Sequence, residues 1–167
     1  MEKLKVLSLF SGIGAFEKAL ERDKIPHEVV AYCEIDKFAS KSYSTIHNIP
    51  ESLNLGDISK VDTSDIPECD LVTYGFPCQD ISVAGLQKGI KAGETRSGLL
   101  YEALRIIEAK KPKYAIAENV KNLVGKRFKE DFEKLLALLD DMGYNSHWQV
   151  LNAKDYGIPQ NRESLCD

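Results

Sequence analysis

Residues 5–22 read KVLSLFSGIGAFEKALER. The first six form an apolar run stopped by a Ser-Gly turn, the pattern of a buried strand. Beyond the turn, Phe16, Ala19 and Leu20 recur at helical spacing and predict a helix with these three on its inner face. A strand passing through glycines into an amphipathic helix is the building block of α/β proteins. The fold then depends on whether the block repeats.

It does. EVVAYCEID (28–36) reads as a second strand, and Asp36 is placed to cap a helix with Phe38, Ala39 and Ile46 as its apolar positions. DLVTYGF (70–76) is a third strand. Ser97 is placed to cap the helix GLLYEALRIIEAKK, which Pro112 stops. KYAIAENV (113–120) is a strand, and Phe128, Phe132, Leu135, Leu136, Leu139 and Met142 line one helical stripe ended by Gly143. HWQVLNA (147–153) closes the series. Near-continuous apolar strands between amphipathic helices predict a mostly parallel sheet covered on both faces. Ligands of such sheets bind beyond the carboxyl ends of the strands. That rule singles out Gly12, Glu34, Cys78 and Glu118. The segment 79–96, rich in Gly and Lys, reads as a long loop of the functional kind.

The chain has 167 residues, 43% hydrophobic and 29% charged, as expected for one globular domain with a real core. No apolar run approaches the roughly 20 residues of a membrane span, and the amino-terminal run is too short for a signal peptide; a cytoplasmic protein is expected. A net charge of −4 gives no overall attraction to nucleic acid, so any such contact needs a local patch or another polypeptide. The cysteines Cys33, Cys69, Cys78 and Cys166 form no C-x-x-C pair, and no His stands at metal-ligand spacing. Cys33 is expected to be a small buried hydrophobe.

Each candidate residue has a plain reading beside its chemical one. Gly12 and Gly14 let backbone approach a ligand at a helix start, or simply make a tight turn. Glu34, some twenty residues on, has the position of a carboxylate that accepts from ribose hydroxyls, or of a helix-entry acid. Asp57 and Ile58 in LGDIS suit an adenine amine and ring face, or an exposed turn. Cys78 in YGFPCQDIS sits where a strand gives way to a loop, which suits either a thiolate nucleophile or a structural cysteine. Glu118 ends an apolar strand, where burial would raise its pKa toward that of a proton donor, or where it would cap the next turn. Arg162 holds an anion or a carbonyl oxygen, or is solvated.

In series, LFSGIGAFEKAL, EIDKFA, GDI, GFPCQDIS, TRSGLL, AENVKNL and YGIPQNRE resemble the DNA (cytosine-5)-methyltransferases from about residue 4 to residue 163. The resemblance implies a Rossmann-like, doubly wound domain that uses S-adenosylmethionine. It implies that Cys78 adds to carbon 6 of cytosine, which makes carbon 5 nucleophilic, and that Glu118 stabilises the charge that builds on the ring. Cofactor contacts would come from Phe10, Gly12, Gly14, Glu34, Ile35, Asp57, Ile58, Gly75 and Pro77, with Phe76 beside them. The target base must leave the duplex. Gln79, Ser82, Lys88, Lys91, Arg96 and Asn119 would then face base or double-stranded DNA. Lys121, Lys126, Arg127 and Lys129 would meet phosphates or remain a solvated run.

Two departures stand out. The family's Q-x-R-x-R pattern keeps Gln160 and Arg162 but has Ser164 at the second arginine. That arginine helps hold the cytosine carbonyl oxygen, so its loss weakens transition-state stabilisation. The sequence also stops at Asp167, before the family's target-recognition region and closing segment. The expectation is one incomplete catalytic domain over 1–167, inactive alone and completed by a missing part or a complementing polypeptide. The alternative is a catalytically dead domain kept as a nucleotide- or protein-binding regulatory module.

Overall fold

A computed structural model describes residues 2–77 and 98–166. Its contacts divide the chain into two compact units, Met1–Gly75 with Glu102–Ile116, and Phe76–Tyr101 with Ala117–Asp167.

The first unit holds β1 (Leu4–Leu9), α1 (Ala15–Arg22), β2 (His27–Cys33), α2 (Lys37–His47), β3 (Leu71–Tyr74), most of α3 (Gly98–Lys110) and the first half of β4 (Tyr114–Val120). β1 pairs in parallel with β2 on one side and β3 on the other. Val6, Leu7, Tyr32, Val72, Ile106 and Ile107 are wholly buried, and each side chain of this kind stabilises by about 1.5–3 kcal/mol. The register sets Leu9 opposite both Cys33 and Tyr74. Phe10, Glu34 and Gly75, one residue further along each strand, therefore leave the sheet at one edge.

Asp36 caps α2 as expected, accepting from the N–H groups of Phe38 and Ala39. The buried faces of the two helices differ from the expected ones. In α1 the most buried residue is Glu17, at 1% exposure, while Ala19 is exposed. In α2 the buried residues are Ser40 and Tyr43, and Phe38 is 84% exposed. Tyr32 explains the orientation of α2. Its hydroxyl shares a hydrogen bond with Ser40 Oγ at 3.1 Å, and its ring stacks on Tyr43 at 4.3 Å. A buried phenol needs a polar partner, so a serine turns inward where a phenylalanine was expected.

The second unit holds the end of β4, α4 (Lys129–Asp141), β5 (Gln149–Asn152) and β6 (Glu163–Cys166). Here β6 lies between β4 and β5 and is antiparallel to both. The strands are therefore mixed in direction, parallel in the first unit and antiparallel in the second. Phe132, Leu135 and Leu139 of α4 are buried as the stripe predicts, and Gly143 ends it at φ 90°. Among the described residues no helix is long and apolar enough to cross a membrane.

Candidate active site

The turn after β1 is backbone-strained. Phe10, Gly12 and Gly14 have φ of 54°, 54° and 84°, in the left-handed region that only glycine enters freely. Phe10 is there without that freedom, a cost of order 1–3 kcal/mol that clusters at functional sites. The turn is tied down by Ser11 N–H to Cys33 O at 3.1 Å and Gly14 N–H to Ser11 O at 2.9 Å. The two glycines differ in surroundings. A Cβ on Gly12 would meet nothing within 4 Å, whereas one on Gly14 would fall on the His47 ring and 2.9 Å from Tyr43 Cε2. His47 Nε2 in turn lies 3.0 Å from Ile13 O. Gly14 is needed for packing, and Gly12 leaves an open face.

Glu34 closes onto this turn. Its Oε2 accepts from Gly12 N–H at 2.9 Å and its Oε1 from Asp36 N–H at 2.8 Å. Asn54 joins Glu34 to the next segment by accepting from Glu34 N–H and Gly56 N–H and donating to Glu34 O. Asp57 follows. Its Oδ1 accepts from Ser59 N–H and Oγ–H, which hold its carboxyl below the usual range. The Asp57 side chain keeps 38% of its surface exposed. Ile35 is 76% exposed, while Ile58 is core at 3%. The first unit thus brings Phe10, Gly12, Gly14, Glu34, Ile35 and Asp57 into one connected edge. Asn54, not singled out from the sequence, is the link that was missed; only the polar spacing N-x-G-D hinted at it.

In the second unit Glu118 is half-buried and sits opposite Cys166 in register. Burial, then the Glu118 carboxyl, push the Cys166 thiol up. Asn119, expected at the substrate, is 4% exposed. Its Nδ2 donates to Phe76 O at 2.9 Å, and its Oδ1 accepts from Val120 N–H at 2.8 Å. It is a backbone tie rather than a surface contact. Pro77 and Arg162 are exposed. Lys121 is paired with Glu163 at 2.9 Å, Lys129 with Glu133 at 3.6 Å, and Arg127 stands 5.1 Å from the Phe128 ring centroid. Cys78, Gln79, Ser82, Lys88, Lys91, Arg96 and the Ser97 cap lie outside the described residues. Among the described residues no group of three or more His, Cys, Asp or Glu side chains is placed to hold a metal ion.

A parallel α/β edge with a glycine turn and an acid on the next strand is the arrangement of the Rossmann-like α/β class. The comparisons narrow it. Residues 4–165 match the family of C-5 cytosine-specific DNA methylases, and the chain belongs to that family. It is 41% identical to the type II methyltransferase M2.ScrFI of Lactococcus lactis subsp. cremoris, over 97% of this chain and 59% of that protein. It is 44% identical to the orphan methyltransferase M.SPRI of Bacillus phage SPR, over 99% of this chain and 37% of that protein. Among solved structures, the Dnmt2 methyltransferase of S. pombe superposes with a TM-score of 0.76 at 26% identity, over 99% of this chain and 48% of that one. The α/β Rossmann-like fold follows. The chain thus spans between 37% and 59% of these two curated relatives.

Proposed function

We propose that this chain carries the cofactor-binding and catalytic part of a DNA cytosine-5 methyltransferase. The observation that carries the reading is the glycine turn after β1, open at Gly12 and bound through its N–H to Glu34. The residues suit S-adenosylmethionine. The Glu34 oxygens keep lone pairs for ribose hydroxyls, the exposed Ile35 offers an apolar face, and Asp57 offers a carboxylate to an adenine amine. Bound there, the cofactor supplies a methyl group on an electrophilic sulfonium.

The protein's own part is to make carbon 5 of cytosine nucleophilic. The Cys78 thiolate forms a bond to carbon 6, and the electron pair of the 5,6 double bond becomes available at carbon 5. Glu118 donates to ring nitrogen 3 as negative charge builds there. Once carbon 5 carries the methyl group, its proton leaves to a base. The returning electron pair restores the double bond and expels the Cys78 thiolate. Arg162 holds the carbonyl oxygen of a base flipped from double-stranded DNA. Sequence readout, and turnover by a whole enzyme, are assigned to a region equivalent to the relatives' remaining length, on this polypeptide or on a complementing one.

A second reading, a cofactor- or protein-binding module without turnover, is favoured by Ser164 at the family's second arginine position. Two measurements separate them. Calorimetry with S-adenosylhomocysteine should give binding that Glu34→Ala removes; no heat at millimolar ligand sinks the cofactor site. Incubation with 5-fluorocytosine duplex and S-adenosylmethionine should give a covalent adduct by mass, absent in Cys78→Ala. With the recognition region supplied on the same or a second polypeptide, binding without adduct leaves the module.

A further inference from the structure

Two residues that contact no proposed ligand atom hold the segment between Glu34 and α3. Asn54 uses its full hydrogen-bonding capacity. Its Oδ1 accepts from Glu34 N–H at 3.0 Å and Gly56 N–H at 2.9 Å, and its Nδ2 donates to Glu34 O at 2.9 Å and Ser40 Oγ at 3.0 Å. The orientation of the amide follows from this network, because the reverse would set an NH₂ against two N–H donors. Neither aspartate, which cannot donate when ionised, nor alanine can replace it. At the other end Arg105 of α3 bonds Glu102 through Nε at 2.7 Å. Its Nη2 donates to Val61 O at 2.9 Å and Ile58 O at 3.3 Å. Glu102 is 5% exposed, so the guanidinium is anchored on a buried carboxylate before it reaches the carbonyls. A planar fork suits that double task where a lysine would serve one partner at a time.

Resting on the cofactor reading above, we propose that Asn54 and Arg105 are positioning residues that fix the segment Asn54–Val61 at its two ends. In this role they set adenosine selectivity. Asn54 fixes the main chain of Glu34, and with it the reach of that carboxylate to a ribose diol. Arg105 fixes the short turn after Asp57, and with it the direction of the Asp57 carboxylate toward the exocyclic amine of a purine. Each end governs a different part of one ligand.

The test is calorimetry of the whole chain with three probes: S-adenosylhomocysteine, its 2′-deoxyribose counterpart and its N6,N6-dimethyladenine counterpart, which has no exocyclic N–H to donate. The wild-type chain should prefer the first over each modified probe by about tenfold or more, the size of one hydrogen bond to a charged group. Asn54→Ala should lose most of the preference against the deoxyribose probe and keep that against the N6-dimethyl probe. Arg105→Gln should do the reverse, and Arg105→Lys should recover part of it. A variant that weakens all three probes equally, or none, overturns the proposal, and a circular-dichroism melt identifies any variant that has merely unfolded. In that event Asn54→Ser and Arg105→Lys carry the same comparison. If wild-type protein binds none of the probes, the cofactor reading itself has failed, before the positioning residues are tested.

Discussion

The main-chain N–H of Gly12 points into the Glu34 carboxylate at 2.9 Å, across 22 residues of sequence. The strained turn and the acid on the neighbouring strand are thus tied into one unit. Because Oε1 and Oε2 each answer a separate N–H, Glu34→Gln would set its NH₂ against either Gly12 or Asp36. An unsatisfied donor costs about 1–3 kcal/mol. The variant should lose that much stability in urea unfolding, and about tenfold in S-adenosylhomocysteine affinity.

The two glycines of the turn should separate under substitution. Gly14→Ala combines a left-handed φ with collision against His47 and Tyr43. Tyr43 is wholly buried and the His47 ring lies 4.8 Å from it, so neither yields easily. A loss of about 3 kcal/mol or more is expected. Gly12→Ala meets open space and should cost only about 1–2 kcal/mol, for the backbone alone. Denaturant midpoints of the two variants check the order.

Asn119→Ala removes the donor to Phe76 O from a buried site. Losing this buried donor, together with the acceptor for Val120 N–H, should cost about 1–3 kcal/mol. Asn119→Asp should be no better, since an ionised carboxylate cannot donate. Urea unfolding of both, beside an exposed control such as Asn122→Ala, reads the effect.

Alkaline stability should report Cys33. Burial, then the Asp57 and Glu34 carboxylates, push its thiol from the ordinary 9.0 up to about 12. Between those values the folded chain keeps a proton that the unfolded chain has released. Stability is therefore whole below about pH 9 and falls as pH rises toward 12, by about 1.4 kcal/mol per pH unit for one full proton. Cys69, pushed to about 11 by burial first, adds to the slope. Urea midpoints from pH 8 to 10.5 should fall more gently in Cys33→Ala than in wild type.

Much of this was legible in residue order. The apolar runs became β1 to β5, Asp36 capped α2, Gly143 stopped α4, and Cys33 proved a core thiol. The inner faces of α1 and α2 were not; that of α2 was decided by a side chain outside the helix, because Tyr32 needs Ser40. β6 was missed because ESLC is four residues long with no alternation to read; its partners on either side make it a strand. Asn54 and Asn119 were also opaque as positioning groups, since an amide's partners are main-chain atoms that leave no mark on residue type. Their geometry is visible only once the backbone is folded.

The sequence has a single tryptophan, and Trp148 meets the Phe132 ring edge-on at 5.4 Å with 47% of its surface exposed. Indole emission is therefore a private signal of the α4–β5 half. Excited at the indole band, the molecule carries its own optical gauge of that layer's integrity, while the glycine turn and its acid, which have no indole, stay dark and must be followed by heat or by mass.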